Sequence, residues 1–162
     1  QALNTFIPSP AQTPGRMNLF QFKNFQVLAD YAHNPAGFNV LKTYVGKVEA
    51  SKKIGIIAGT GDRRDDDIRE LGSLAAAMFD EIIIRQDKHL RGRTVENIVE
   101  LLKEGIYSVK KDMDVKVILK ELEAIDHAVK NAPKDSFIVI CSDVITDALA
   151  YIQKLKNEED TH

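Results

Sequence analysis

The residues best able to do chemistry in this chain stand where apolar runs end. Val27-Leu28-Ala29 leads straight into Asp30-Tyr31-Ala32-His33-Asn34-Pro35. A carboxylate, an imidazole and an amide so close together can accept bonds from hydroxyls, move a proton and orient a substrate. Three more polar groups follow apolar runs in the same way: Gly59-Thr60-Gly61-Asp62-Arg63-Arg64, Gln86-Asp87-Lys88-His89-Leu90-Arg91 and Ser142-Asp143. Glycines at 59 and 61 would let the backbone approach a phosphate, with Arg63 and Arg64 as counter-charges. A tight strand-to-helix turn also needs glycine for conformational reasons alone, and both readings stand open. Arg64 occupies the place of the third glycine of a dinucleotide fingerprint, which argues against NAD, and the sequence contains no GxxxxGK[ST] loop to hold ATP by itself. His33 and His89 lack metal-ligand spacing, so no metal site is expected. Ser142-Asp143 reads equally as a helix cap or as a functional group. Cys141 closes an apolar run and reads as a small buried hydrophobe.

The elements that must position these groups alternate in type. Met17 to Phe22 and Phe25 to Tyr31 read as strands joined by a turn at Lys23-Asn24, a hairpin by its spacing. Asn34 can cap a helix opened by Pro35, in which Phe38, Leu41, Val45 and Val48 recur at helical intervals. Ile54 to Ala58, Glu81 to Arg85, Val115 to Ile118 and Phe137 to Cys141 read as further strands. Between and after them, helical stripes run through Ile68, Leu71, Ala75, Met78 and Phe79, and through Val95, Ile98, Leu102 and Ile106. Two more run through Leu119, Leu122, Ile125 and Val129, and through Ile145, Leu149, Ile152 and Leu155. Asp65 to Asp67 read as a solvated helix start favoured by the helix dipole. The pattern is that of an α/β, Rossmann-like three-layer sandwich, with a mostly parallel sheet and an antiparallel edge hairpin. Parallel strands bring all four polar groups to one rim, where ligands bind in open sheets.

A chain of 162 residues, 44% hydrophobic, fits one domain. With 22 basic against 24 acidic residues it carries no basic excess, so nucleic acid is not an expected partner. No apolar run is long enough to span a bilayer. The lone Cys141 offers no disulfide framework and suits a cytoplasmic setting. Residues 1–15, with three prolines and no initial Met, read as a linker or hinge, 16–156 as the folded domain and 157–162 as a frayed tail. The expectation is a segment of a longer protein.

Asp30-Tyr31-Ala32-His33-Asn34-Pro35, with Pro14-Gly15-Arg16-Met17 and Gly59-Thr60-Gly61-Asp62-Arg63, resembles the C-terminal domain of the Mur ligase superfamily. This superfamily includes peptidoglycan amino-acid ligases, folylpolyglutamate synthases and cyanophycin synthetases. The cyanophycin synthetase branch is the most similar, through Ser9-Pro10, Gly15-Arg16-Met17-Asn18-Leu19-Phe20, Asn34-Pro35-Ala36-Gly37 and Asp87-Lys88-His89-Leu90-Arg91-Gly92-Arg93. Peptidoglycan ligases usually carry an Asn-Pro-Arg type of motif where this chain has Lys88-His89-Leu90-Arg91.

The resemblance implies a lid domain working against a central P-loop domain of the same polypeptide, which holds most of the ATP and Mg2+. In such ligases a carboxylate becomes an acyl phosphate and an amine displaces the phosphate. In the cyanophycin branch the carboxylate is an aspartate side chain of a polymer and the amine is that of arginine. Carried over by motif, Arg16 reaches the nucleotide phosphates and Asp30 the ribose hydroxyls, while His33 and Asn34 lie beside the closing interface. Gly61, Asp62 and Arg63 form the glycine-rich turn near substrate. Asp87 and Arg91 recognise the incoming amino acid, Arg91 by its carboxylate. The isolated domain is then expected to be inactive, and self-association of the whole enzyme is left open. Other readings are a different Mur-type ligase, or a binding domain that kept the fold without catalysis.

Overall fold

The structure, a computed structural model, describes residues 17–59, 64–85, 90, 92–142 and 145–161. Strand β1 (Asn18–Gln21) turns at Lys23-Asn24 into β2 (Phe25–Asp30), pairing antiparallel with Asn18 opposite Ala29. There follow α1 (Pro35–Gly46), β3 (Lys52–Ile57), α2 (Asp65–Met78), β4 (Glu81–Ile84) and α3 (Val95–Val109). The chain then forms β5 (Asp114–Val117), α4 (Glu121–Asn131), β6 (Ser136–Cys141) and α5 (Ile145–Asp160). The sheet order is β1-β2-β6-β3-β4-β5, and every pair except β1 with β2 is parallel. The expected sandwich with an antiparallel edge hairpin is what forms.

The order follows from handedness and burial. From β2 the chain advances through β3 and β4 to β5, and α1, α2 and α3 pack on one face against Leu28, Ile57, Ile82, Ile84 and Val139. It then returns from β5 to β6, and the right-handed crossover rule sends a returning helix to the opposite face. There α4 and α5 cover Val27, Ile54, Ile56, Ile83, Ile138 and Ile140. β4 and β6 are buried along their whole length, which explains the apolar runs that follow Glu81 and Ser136. Helices α2 and α3 touch backbone to backbone. A Cβ on Gly105 would strike the Arg69 carbonyl, and one on Gly72 the carbonyl of Leu102.

Several sequence expectations shift, and β3 runs Lys52–Ile57 where Ile54 to Ala58 is expected. Helix α1 stops at Gly46, because Lys47 takes the C-cap and donates its N–H to Tyr44, so Val48 packs from outside the helix. Leu119 lies before α4, and both it and Leu122 are exposed. Ile125 is buried and Val129 half-buried, as expected, and Ala124 and Ala128 complete the buried stripe. β5 begins one residue earlier than expected. At the C-terminus, α5 runs past Lys156 to Asp160, where Lys156 Nζ meets the Asp160 carboxylate at 3.0 Å. Glu159 also accepts the Lys23 N–H at 2.8 Å, fastening this end to the hairpin turn.

Candidate functional site

The helices after β2 and β3 lie on one face while the helix after β6, the strand between them, lies on the other. Such a reversal opens a crevice at the C-terminal strand ends, and a second one opens between β4 and β5. Asp30 stands at the first. Its Oδ1 accepts the Met17 N–H at 2.9 Å and its Oδ2 accepts the Ala32 N–H at 3.0 Å, while its carbonyl accepts the Ser142 N–H at 3.0 Å. The carboxylate thus ties the start of β1 to the end of β2. Met17 has φ +46°, a left-handed turn rare for a side-chain-bearing residue. That turn aims its N–H at Asp30. A carboxylate oxygen accepts about two bonds, so each Asp30 oxygen retains capacity for one further donor.

Asn34 caps α1: its Oδ1 accepts the Gly37 N–H at 2.8 Å. With one bond of the oxygen given to the helix, the amide nitrogen keeps both its N–H groups. His33 Nδ1 donates to the Tyr31 carbonyl at 2.9 Å, which orients the ring and leaves Nε2 as its outward nitrogen. The exposed Tyr31 ring meets it edge-on at 5.0 Å. These three residues therefore sit together at the rim, and in this conformation their recorded bonds hold one another and the local backbone.

At the end of β3, Gly59 has a packing reason to be glycine, since a Cβ there would lie 2.8 Å from Ile98 of α3. Arg64 pairs with Asp67 at 3.3 Å over the first turn of α2. Arg93 bonds Asp65 and Asn97, each at 2.7 Å, linking the starts of α2 and α3. Thr94 caps α3 through the Asn97 N–H. Ser142 is buried just past the end of β6. Cys141 is buried, and desolvation pushes its thiol far above the ordinary value, with Asp30 adding to the effect and Arg85 opposing it. Its burial fits the small buried hydrophobe that its place in an apolar run suggests. Arg16, Gly61, Asp62, Arg63, Asp87, Arg91, His89 and Asp143 lie outside the described residues.

The sequence reading passes over Arg85. It follows directly on β4, is only 6% exposed, donates from Nη2 to the Cys141 carbonyl at 3.1 Å and contacts Glu121 of α4 through Nε at 3.2 Å. A buried guanidinium must be paired, so a charge closing an all-isoleucine run was the available signal. What the run could not show is that β3 alone separates β4 from β6. Among the described residues, no group of three or more His, Cys, Asp or Glu side chains converges as a metal-ligand set. Among the same residues no helix is long and apolar enough to cross a membrane.

Comparison with known proteins bears on this rim. Cyanophycin synthetase of Nostoc sp. (strain PCC 7120) is 42% identical over 151 residues, 93% of this chain. The chain spans only 17% of that protein's length. The 2,6-diaminopimelate-adding ligase of Caldanaerobacter subterraneus is 31% identical over 73% of the chain and 24% of its own length. Among solved structures, a UDP-N-acetylmuramoyl-L-alanyl-D-glutamate–2,6-diaminopimelate ligase superposes with TM-score 0.75 at 19% identity, over 91% of this chain and 32% of that one. E. coli FolC in complex with ADP superposes with TM-score 0.69 at 20% identity, over 90% and 33%. At those identities the structures speak for the fold. The family model described as Mur ligase, glutamate ligase domain, matches residues 15–144, and the chain belongs to that family.

Proposed function

We propose that this chain is the C-terminal lid of an ATP-dependent carboxylate–amine ligase of the cyanophycin synthetase type, joining arginine to aspartate side chains of a polymer. The observation that carries this reading is 42% identity to a cyanophycin synthetase along 93% of the chain, with 31% to a diaminopimelate-adding ligase over 73%. The P-loop and Mg2+ belong to a central domain elsewhere in the polypeptide, and the relatives are long enough to contain one. An aspartate carboxylate attacks the γ-phosphorus of ATP and ADP leaves, giving an acyl phosphate. The arginine α-amine attacks the acyl carbon, the tetrahedral intermediate expels phosphate, and the amine gives up a proton as the amide forms.

In this scheme Asp30 receives the ribose hydroxyls with the acceptor capacity left on its oxygens, and Arg16, next in the chain to the anchored Met17, meets the phosphates. His33 and Asn34 shape the closing face. Asp62 and Arg63, beside Gly61, meet the polymer, while Asp87 and Arg91 take the guanidinium and the carboxylate of arginine. Closing the lid excludes water that would hydrolyse the acyl phosphate. The test is phosphate release by the full-length protein with ATP, an aspartate-rich primer and one amine at a time. Release dependent on arginine supports the reading. Release with diaminopimelate or glutamate and none with arginine replaces it with a peptidoglycan or folate type of ligase, and no amine-dependent release marks a binding domain.

A further inference from the structure

The sheet also opens at the end opposite the rim. Strands β2 and β6 run in parallel register from Phe25 and Ser136 to Asp30 and Cys141. At about 3.3 Å per residue, their starts lie roughly 17 Å from Asp30. Around those starts the β1–β2 turn and the loop after α1 leave a cleft of about 570 Å³, lined among others by Lys23, Gln26, Glu49, Ser51, Asp135 and the buried Phe137. Small-molecule sites span about 300–1,000 Å³, and this cleft falls within that range. Its frame is fixed by the main chain. Asp135 stands in the left-handed region at φ +66°, which aspartate adopts more readily than most residues. Its N–H donates to the Asn24 carbonyl at 2.6 Å and its carbonyl accepts the Ser51 N–H at 2.9 Å, so one residue joins the hairpin turn to the α1–β3 loop. Ser51 Oγ adds a bond to the Lys134 carbonyl at 2.6 Å.

The charges of this cleft do not pair with one another. Among the described residues, the carboxylates of Glu49 and Asp135 and the ammonium of Lys23 take no hydrogen bond or ion pair. Two carboxylates beside one ammonium match a ligand that carries a guanidinium and a carboxylate. A planar guanidinium has five N–H donors and can serve two carboxylates at once, while an ammonium takes the ligand's own carboxylate. Arginine joined to a polymer through its α-amine keeps both of these groups and has lost the amine charge. Free arginine is the other source of a guanidinium, but its amine must reach an acyl carbon at the rim. From this cleft the rim is roughly 17 Å away, so an arginine held here is one that has already been transferred.

We propose that this cleft binds arginine already attached to the polymer, with its guanidinium between Glu49 and Asp135 and its carboxylate on Lys23. An extended chain rises about 3.3 Å per residue, so the unit held here is about five residues along the polymer from the one at the rim. The cleft thus retains the growing polymer while its next aspartate reaches the site. The proposal rests on the ligase reading above and adds to it a second contact with the product, made by side chains of this domain alone.

The test uses the full-length ligase carrying Glu49→Gln together with Asp135→Asn. These exchanges keep the shape, remove both carboxylates and leave at 135 a residue that also accepts the left-handed turn. Two primers are compared: an aspartate oligomer bearing arginine on every side chain but the last, and the same oligomer without arginine. The expected result is a KM for the arginine-bearing primer raised about tenfold or more, as loss of charge-assisted bonds gives, with the KM for the bare primer, ATP and free arginine within about twofold of the parent. A folded variant with an unchanged KM for the arginine-bearing primer overturns the inference. So does a parallel rise in the KM for the bare primer or for free arginine, since the cleft would then not be reading attached arginine. If the double variant does not fold, Lys23→Met on the exposed turn decides. It removes only the partner of the primer's carboxylates, and an unchanged KM for the arginine-bearing primer there is equally fatal. A parent enzyme without arginine-dependent phosphate release overturns the ligase reading itself, and this inference with it. An active parent with an indifferent variant overturns the inference alone.

Discussion

Asp30→Asn removes one acceptor oxygen with almost no change of shape, and the consequence can be worked from the bonds around it. The native carboxylate takes Met17 N–H on one oxygen at 2.9 Å and Ala32 N–H on the other at 3.0 Å. An amide keeps one of these and turns its own N–H groups toward the other, donor against donor. A hydrogen bond to a charged group is worth about 1.5–3 kcal/mol and a neutral one about 1 kcal/mol, so the variant loses one strong bond and weakens the second. Asp30 is half-buried, and water takes up part of the deficit, which brings the net loss to about 2 kcal/mol. In a domain of this size that corresponds to a Tm lower by about 4–8 °C. Thermal unfolding of the chain measures the total, and amide hydrogen exchange at Met17 and Ala32 locates it. A Tm within about 1 °C of the parent, with both amides as protected as before, would refute the role assigned to this carboxylate.

Four further outcomes follow from the packing and charges. Asn34→Ala removes the cap of α1 and should cost about 1 kcal/mol, read as a lower Tm with faster exchange at the Gly37 amide. Gly105→Ala drives a methyl group into the Arg69 carbonyl and should cost about 3 kcal/mol or more in urea unfolding. Gly46→Ala, at the end of α1 with open space around it, should instead stabilise by about 0.5–1 kcal/mol. Burial acts to raise Glu81, but the ammonium groups of Lys52 at 2.8 Å and Lys116 at 2.9 Å outweigh it and hold the carboxyl below its ordinary 4.5. Its contribution is therefore complete above pH 4.5 and disappears as the pH falls through the lower folded value. Glu81→Gln should be less stable than the parent by about 1–3 kcal/mol at pH 7, with the gap closing in acid, and a gap independent of pH would contradict the charge argument.

The local layer of this protein is legible in its residues. Asn34-Pro35 opens a helix because an amide oxygen can take a free N–H and a proline has none to waste, and the structure contains that cap at 2.8 Å. Ile82-Ile83-Ile84 and Phe137-Ile138-Val139-Ile140 read as strands from their short apolar runs, and they form strands buried along those runs. What escaped the sequence depends on neighbours far away in the chain. Nothing near Phe137 says that β6 inserts between β2 and β3, so nothing near Arg85 says that its guanidinium will find the Cys141 carbonyl. The left-handed turn at Met17 is set by a carboxylate in the next strand. Leu119 and Leu122 satisfied a helical period and yet face outward, because the phase of α4 is decided by the sheet beneath Ala124, Ile125 and Ala128.

In the ligase reading this domain holds one half of the site, with the P-loop half elsewhere in the polypeptide. The direct measurement is arginine-dependent phosphate release, with ATP and an aspartate-rich primer, by three proteins: the full-length ligase, the same protein lacking this domain, and the domain alone. Release by the full-length protein only, with ATP still bound by the truncated one, is the predicted result. Arginine-dependent release by the truncated protein, or by the isolated domain, would contradict it.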